Sequence, residues 1–318
     1  MLQQTRVAAV IPYYERFLAR FPDVASLAAA PREEVMERWA GLGYYARARA
    51  LHACAQLVVA EHGGRFPSSA AALQELPGIG PSTAGAIAAF CFAERVPILD
   101  GNVKRVLARR FAVAGDPAAP AVARVLWEHA RRLLPAAADI GAYTQAIMDL
   151  GAGICTRAQP DCDHCPVRRG CQARLRGNVE DFPGRREAGQ RPVRKAHFLV
   201  VVHRDGVLVE QRPARGIWGG LVAPPQYPTR RALQTAARTY AAQDPSALAP
   251  RRHGFTHYTL DFTPYIVALG KAARPAASEP LRWLDWTALE RAALPAPIRV
   301  LLREVQTASQ GRGMESRY

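Results

Sequence analysis

Residues 76–83 read Leu76-Pro77-Gly78-Ile79-Gly80-Pro81-Ser82-Thr83 and lie directly before an apolar run that ends at Phe92. Gly78 and Gly80 carry no side chain, so bare backbone N–H groups can approach an anion at the start of the following helix. The stretch therefore predicts a turn that binds a phosphate-like group. The alternative is a Pro-Gly turn that merely begins a helix.

A second turn follows in the segment Val96-Pro97-Ile98-Leu99-Asp100-Gly101-Asn102-Val103. Asp100 lies just before the apolar helix pattern that starts at Val103. An aspartate in such a place is usually an N-cap, because its carboxylate accepts a hydrogen bond from an N–H of the first turn. A chemical role for the carboxylate is the alternative interpretation.

Four of the six cysteines are concentrated in one short segment, which argues against a disulfide framework and indicates a metal site. Separated by six, two and five residues, they are Cys155, Cys162, Cys165 and Cys171. Four thiolates in one loop suit either a [4Fe-4S] cluster or zinc. Zinc ribbons usually present two separated Cys-x-x-Cys pairs, whereas this loop contains one. Cys54 and Cys91 lie on apolar helical faces, where core packing is expected.

Up to about Gln172 the apolar residues recur at helical spacing, which predicts an all-α domain over residues 1–173. The predicted helices are 7–21, 35–39, 48–59, 83–92, 103–111, 121–134 and 143–150. A polar stretch rich in glycine and proline predicts a linker over 174–194.

After this stretch the apolar period changes to two, which predicts an α+β domain over 195–306. Runs 197–203 and 207–212 predict a hairpin in which Asp205-Gly206 supplies the positive φ of a tight turn. Residues 258–263 predict a further strand and 298–305 a closing helix. The tail 307–318 is predicted to be disordered.

The chain carries 42 basic and 27 acidic residues, a net charge of +15 and a pI near 10.2. Such a balance is expected of a protein that binds polyanions. Almost all of the basic charge is arginine, however, and that bias can equally reflect genome composition. Neither a membrane-spanning apolar run nor the pattern of a signal peptide is present, so we expect a soluble cytoplasmic protein.

Together, the glycine turn, the aspartate after it and the cysteine spacing resemble the MutY-type adenine DNA glycosylases of the endonuclease III superfamily. The resemblance extends from Leu2 to about Val305, with the motifs in the expected order. It implies a multidomain protein: an all-α helix-hairpin-helix glycosylase domain with the hairpin at 76–83 and an iron-sulfur loop at 155–171, then an α+β Nudix-like domain. It also implies that the four clustered cysteines hold a [4Fe-4S] cluster.

The same resemblance gives Asp100 its chemical role. In this family the matching carboxylate stabilises the oxocarbenium-like charge that forms on the sugar as the glycosidic bond breaks. The reaction implied is removal of adenine mispaired with 8-oxoguanine or guanine, a step of base-excision repair.

Ser82 distinguishes two branches of the superfamily. Endonuclease III-type enzymes excise oxidised pyrimidines and cut the strand, using a Schiff-base lysine at the matching position. Serine cannot form a Schiff base, so the resemblance implies a monofunctional glycosylase, with a pyrimidine glycosylase as the alternative enzyme. Lys104 is not the nucleophile in this family, and a phosphate contact is its expected role.

Two segments, at residues 2–5 and 41–49, resemble those that enter the duplex in the family. Gln3 and Tyr44 are expected to intercalate beside 8-oxoguanine, although a loop packed on the core is the alternative for Tyr44. The other expected DNA contacts are Gln4, Arg47, Arg49, Gly78, Gly80, Ser82 and Lys104.

In the second domain, Gly216-Ile217-Trp218-Gly219-Gly220-Leu221 and Phe255-Thr256-His257 resemble the domain that the family uses to recognise 8-oxoguanine. Phe255, Thr256 and His257 are the expected recognition residues, although many relatives have serine in place of Thr256. For His257 the alternative is a surface histidine at a strand edge. Nudix hydrolases need glutamates on a helix to hold Mg²⁺, and residues 224–231 contain none, so pyrophosphate hydrolysis is not expected.

The resemblance places the family's general-acid glutamate, which protonates adenine at N7, two residues before the position of Met1. This sequence is therefore expected to lack that group. One interpretation is a start site assigned too far downstream, and the other is a product that binds the mismatch without cleaving it.

The expected partner is double-stranded DNA with an A:8-oxoguanine or A:G mismatch, bound by a monomer that is associated with the nucleoid and not with a membrane. From a different class, the rival interpretation is a non-catalytic DNA-binding or redox protein that uses the cluster for electron transfer.

Overall fold

The computed structural model describes residues 1–2, 5, 7–184, 191–213, 216–255, 257–269 and 274–311. The expected contacts Gln3, Gln4 and Thr256 lie outside the described residues, as do residues 312–318 of the predicted tail. Within the described ranges, no helix is both long enough and apolar enough to cross a bilayer.

Helices form wherever the apolar period predicted them, and only their ends differ. The helices before residue 176 are α1 (Val7–Arg20), α2 (Val24–Ala29), α3 (Arg32–Trp39), α4 (Ala46–His62), α5 (Ala70–Gln74), α6 (Pro81–Phe92), α7 (Gly101–Phe111), α8 (Pro120–Arg132), α9 (Ile140–Asp149) and α10 (Gln172–Leu175). Between them lie a π-helical turn at Leu150–Ile154 and a 3-10 turn at Ala137–Asp139. The sequence missed α2, α5 and α10 because helices of six, five and four residues are too short to show a period.

Close packing groups the chain into two compact units, residues 1–52 with 190–318 and residues 53–189. We call the first the mixed unit and the second the helical unit. This grouping differs from the predicted division near residue 173. Within the first unit, the side chains of Tyr45 and Arg49 bond to loops of the sheet-containing part, as described below.

The core of the helical unit surrounds α7, whose Val103 and Leu107 are at most 1% exposed. Two glycines let neighbouring segments close on the start of this helix. A Cβ at Gly85 would lie 2.6 Å from the Pro97 carbonyl oxygen, and one at Gly151 would lie 2.6 Å from the Asn102 Cβ. Residues 174–184, assigned to the linker by sequence, also join this core through the buried Phe182.

The mixed unit contains an eight-stranded sheet. Its strands are β1 (Val193–His203), β2 (Gly206–Gln211), β3 (Val222–Ala223), β4 (Gln226–Tyr227), β5 (Ser246–Ala247), β6 (Arg251–Gly254), β7 (Thr259–Ala268) and β8 (Leu281–Asp285). The path is β3-β2-β1-β7-β5, with β4 on β1, β6 on β7 and β8 on β2. The long pair β1 and β7 is parallel from Val193↔Thr259 to Val202↔Ala268, whereas the other pairs are antiparallel.

The hairpin between β1 and β2 is confirmed, with His203 opposite Gly206. The predicted role of its glycine is wrong, because neither Asp205 nor Gly206 has a positive φ. The turn residues are Arg204 and Asp205, and Gly206 already belongs to β2. Glycine is required there for another reason: a Cβ would collide with the Leu284 carbonyl oxygen of β8.

Two helices complete the mixed unit, α11 (Arg230–Ala237) and α12 (Ala296–Gly311). Leu233 of α11 is fully buried against the sheet core. The closing helix α12 is longer than predicted and continues through residues 307–311, which the sequence had assigned to the disordered tail. Residues 307–311 include no large apolar residue, so a test of apolar period does not detect this last turn.

Candidate functional site

The glycine turn lies at the N-terminus of α6, as the sequence predicted. Gly78 has a φ of +80°, a conformation that favours glycine. Gly80 is the N-cap and Pro81 the first helical residue, and no heavy atom lies within 4 Å of the place where a Gly80 Cβ would be. The first N–H groups of α6 therefore face an open approach, at the positive end of the helix dipole.

Ser82 has a structural contact that sequence analysis missed. Its Oγ accepts a hydrogen bond of 3.0 Å from the Leu99 N–H, directly before Asp100. The glycine turn and the aspartate are thereby tied together across seventeen residues of chain. No local sequence pattern predicts this hydrogen bond, because it depends on how α6 packs against the segment before α7.

Asp100 is the N-cap of α7, and its Oδ1 accepts a hydrogen bond of 2.8 Å from the Val103 N–H. The carboxylate is half-buried, whereas the preceding Ile98 and Leu99 are buried. This N-cap geometry, expected from sequence, does not exclude a chemical role, because the carboxylate is fixed at a helix N-terminus beside the glycine turn. Lys104, one turn further along α7, is also half-buried.

The four clustered cysteines line one cavity of the helical unit, together with Arg109 and Arg110. Burial raises the pKa of the Cys162 thiol, and the neighbouring thiols of Cys155, Cys171 and Cys165 raise it further. The spacing of six, two and five residues therefore brings all four thiols together. Among the described residues, no group of three or more His, Cys, Asp or Glu side chains is arranged to hold a metal ion.

Two arginines of α7 brace this cysteine loop, and the sequence analysis did not single them out. The guanidinium of Arg105 donates to the carbonyl oxygens of Cys155 (2.7 Å) and Gly151 (2.5 Å). Burial lowers the pKa of Arg105, and the Cys155 thiol opposes this shift. Arg105 and Arg109 are four residues apart, which places both on one face of α7. This spacing was the available signal, but nothing in the sequence shows which loop the two side chains face.

Arg109 is only 2% exposed, so its charge is buried. It donates to the Cys155 Sγ (3.3 Å) and to the carbonyl oxygens of Thr156 (2.6 Å) and Phe182 (2.9 Å). Arg110 similarly donates to the Gly170 carbonyl oxygen at the other end of the loop. The helix that begins at Asp100 thus also holds the cysteine loop.

The mixed unit carries the segment expected to enter the duplex. Tyr44 has a φ of +48° and is 53% exposed, so its ring is presented to solvent and not packed on the core. Arg47 is engaged within the protein: it donates to the Met1 carbonyl oxygen at 2.9 Å and lies over the Trp39 and Tyr44 rings. Arg49 donates to the Gly219 carbonyl oxygen at 2.6 Å. Phosphate contacts by these two arginines stay predictions.

Phe255 and His257 differ in exposure. Phe255 is half-buried and stacks on Tyr258, with ring centroids 4.5 Å apart, whereas His257 is exposed. Trp218 of the glycine-rich turn (residues 216–220) is 7% exposed, and its ring lies 6.1 Å from that of Phe255. This aromatic cluster could not be predicted, because its members lie on separate loops. The recognition roles of Phe255 and His257 stay predictions.

Both parts of the chain match models of known protein families. The model of the HhH-GPD superfamily base excision DNA repair protein matches residues 1–132, and that of the NUDIX domain matches residues 196–304. A solved structure of a thermostable thymine-DNA glycosylase matches with a TM-score of 0.50 and 26% identity over 55% of this chain and 80% of that chain. The predicted fold class, a helical domain followed by a Nudix-like one, is confirmed.

Similarity over the whole chain is more specific. An adenine DNA glycosylase of Mus musculus is 35% identical over an alignment 366 residues long, which covers 98% of this chain and 71% of the mouse protein. One of Buchnera aphidicola subsp. Baizongia pistaciae is 30% identical over 309 residues, covering 96% of this chain and 87% of that protein. The chain therefore belongs to the adenine DNA glycosylase family of base-excision repair enzymes.

Proposed function

We propose that this chain hydrolyses the N-glycosidic bond of adenine mispaired with 8-oxoguanine or guanine in double-stranded DNA, acting as a monomer and without strand cleavage. The observation that carries the proposal is Asp100, fixed at the N-terminus of α7 and tied through Ser82 to the glycine turn. The family relationship supplies the reaction class.

In this mechanism the N-terminus of α6 binds a phosphate of the DNA backbone through its N–H groups, with Gly78 and Gly80 allowing the close approach. Lys104 adds a second phosphate contact. The flipped deoxyribose then faces Asp100, whose ionised carboxylate stabilises the positive charge that develops at the sugar as adenine leaves. Ser82 offers no amine, so no Schiff base forms and water completes the reaction: its hydroxyl bonds to the sugar C1′ as the bond to adenine breaks, and its proton is taken up by the departing base.

We assign a [4Fe-4S] cluster to Cys155, Cys162, Cys165 and Cys171. The residues present fit it: the four thiols line one cavity, and the buried Arg109 donates to the Cys155 Sγ. A positive group against a thiolate ligand stabilises the negative charge that a thiolate-ligated cluster adds. These four cysteines would hold the cluster, which would then order the loop at 155–171 for contact with DNA. Metal analysis tests the zinc alternative: zinc is ruled out if the purified protein contains iron and sulfide, each at about four per chain.

The base opposite adenine is read in this proposal by Phe255, Thr256 and His257, with Gln3 and Tyr44 entering the stack and Gln4 contacting the DNA. Tyr44 supports this role because its ring is exposed on a loop held in a left-handed conformation. Such a ring can fill the space that a flipped base leaves.

The test is single-turnover release of adenine from an A:8-oxoguanine duplex, with Asp100→Asn and the exposed control Asp139→Asn. Asparagine is an equally good N-cap, so Asp100→Asn should fold normally. We expect it to slow release about 10²- to 10³-fold, because one preorganised electrostatic group is lost. Asp139→Asn should match the parent chain.

Other outcomes separate the alternatives. Selective binding of the mismatch without base release would favour the non-catalytic mismatch-binding protein. Release of an oxidised pyrimidine, with an enzyme-DNA adduct trapped by borohydride, would favour the endonuclease III-like enzyme. Equal rates for Asp100→Asn and the parent chain would overturn the role of Asp100.

A further inference from the structure

Two side chains at the start of α4 bond to the C-terminal half of the mixed unit. Arg49 Nη1 donates to the Gly219 carbonyl oxygen at 2.6 Å, and the Tyr45 hydroxyl donates to the Leu294 carbonyl oxygen at 3.4 Å. Residues 45 and 49 lie one helical turn apart, so both face the same way. They follow directly after Tyr44, the exposed ring expected to enter the duplex.

The two acceptor carbonyls belong to segments that are themselves joined. The Val222 N–H, three residues after Gly219, donates to the Ala293 carbonyl oxygen at 3.0 Å, next to Leu294. The glycine-rich turn is also bound to the segment directly after β2, since the Gly220 N–H donates to the Pro213 carbonyl oxygen at 2.9 Å. Arg49 and Tyr45 therefore bond to two segments that are themselves joined by a hydrogen bond.

Glycine at position 220 leaves room beside it for the Arg49 guanidinium. Its φ of +76° favours glycine, and a Cβ there would lie 3.2 Å from Arg49 Nη1. Burial also lowers the pKa of Arg49, as expected for a guanidinium drawn into the protein. A guanidinium bound to a carbonyl forms a charge-assisted hydrogen bond, stronger than one between neutral groups.

From the glycine-rich turn the contacts continue to the expected recognition residues. Trp218 precedes Gly219, has a φ of +52° and packs its ring 6.1 Å from Phe255. Phe255 in turn stacks on Tyr258 at 4.5 Å with the rings inclined by 22°. Moving the Gly219 carbonyl therefore disturbs Trp218 and, through it, Phe255.

We propose that Arg49 is a positioning residue: it anchors the loop that carries Tyr44 to the glycine-rich turn, and so fixes that loop relative to Phe255. The inference rests on the proposed function, because that function assigns Tyr44 and Phe255 to the same base. It replaces the phosphate contact that the resemblance implied for Arg49. Discrimination between 8-oxoguanine and guanine then depends on an arginine that does not touch the DNA.

The first measurement follows the anchor itself by amide hydrogen exchange in the full chain. Arg49→Met keeps the bulk of the side chain and removes the donors, whereas Arg49→Lys keeps one donor and the charge. We expect the Gly220 and Leu221 amides to exchange about tenfold faster in Arg49→Met, with partial recovery in Arg49→Lys. Arg38→Met, which removes an exposed arginine of α3, should leave them unchanged.

The second measurement compares dissociation constants for A:8-oxoguanine and A:G duplexes over a range of salt. We expect Arg49→Met to lower the preference for 8-oxoguanine about fivefold, a typical size for coupling between two sites. The slope of log affinity against log salt should equal that of Arg38→Met. A phosphate contact predicts instead an equal loss on both duplexes and a slope smaller by about 0.9.

Each result decides the proposal. Unchanged Gly220 and Leu221 amides, or the salt signature of a phosphate contact, would overturn it. If Arg49→Met does not fold, Tyr45→Phe carries the test, because loss of its hydroxyl should shift both readouts in the same direction by a smaller factor. Should the parent chain show no preference for 8-oxoguanine while Arg49→Met speeds exchange, the proposed lesion recognition fails but the anchor stands.

Discussion

Asp100 in the helical unit and Phe255 in the mixed unit are held in place by different kinds of contact. Asp100 is held by the main chain, since its carboxylate caps α7 and the Ser82 hydroxyl binds the N–H just before it. The main-chain N–H of Phe255 donates to the Tyr258 carbonyl oxygen at 2.8 Å, but its ring is held only by other rings, since it stacks on Tyr258 and packs near Trp218. Hydrogen bonds fix direction and distance, whereas ring contacts tolerate small shifts.

The difference suits the two tasks proposed for these regions. A carboxylate that stabilises a transient charge must lie at one distance from the sugar, because electrostatic stabilisation depends on preorganised geometry. A ring that helps to read a base needs area and shape more than one fixed distance. Changes in the helical unit should therefore act through stability or rate, and changes in the mixed unit through selectivity.

The largest effect is expected for Arg109→Met, which removes a buried guanidinium from the carbonyls of Thr156 and Phe182. Leaving buried acceptors unpaired costs about 1–3 kcal/mol each, so the free energy of unfolding should fall by about 3 kcal/mol. Urea unfolding measures this loss of stability, and the iron content per chain is determined for the same variant. The exposed Arg124→Met is the control; equal stability of the two variants would contradict a bracing role.

A smaller effect is expected for Tyr258→Leu, which removes the ring beneath Phe255. Aromatic pairs contribute about 0.5–1.5 kcal/mol beyond their buried area, so the preference for A:8-oxoguanine over A:G should fall about two- to tenfold. Excision from the A:G duplex should change little. Tyr258→Phe retains the ring and should behave as the parent chain; an equal loss in both variants would point to the hydroxyl instead.

Ser82→Ala should cost about 1 kcal/mol of stability, the usual value of one hydrogen bond, because the Leu99 N–H loses its partner. Since that bond positions Asp100, adenine release should slow by a few-fold while the preference for 8-oxoguanine stays the same. Single-turnover rates on both duplexes test this. A changed preference with an unchanged rate would break the contrast between the two units.

The smallest effect concerns His253, whose pKa is lowered by burial beside Trp218 and Phe255. The folded chain binds a proton there less readily than the unfolded chain, so stability is full above the ordinary histidine pKa of about 6.5 and declines as pH falls below it. Unfolding curves between pH 7.5 and 5.5 should show this decline, reduced in His253→Gln. An identical decline in both chains would assign it to other groups.

Short-range patterns predicted a large part of this molecule. The helices that follow the glycine turn and Asp100 begin within two residues of their predicted starts, because caps and apolar period involve neighbours within a turn or two. The cysteine spacing indicated one shared site, and the four cysteines line one cavity, whereas the cluster itself stays a prediction. By contrast, the Asp205-Gly206 interpretation was wrong, because the glycine is needed for a strand eighty residues away and not for its own turn.

The sequence alone determined the fold class, the family and the groups at the proposed site, since each is written in residues close together in the chain. Only the tertiary structure decided which side chains hold those groups. Arg109 faces the cysteine loop, Ser82 reaches Leu99, and Arg49 bonds to Gly219. Such partners depend on how distant segments pack, and arginine or serine can bond to many acceptors, so local pattern does not select among them.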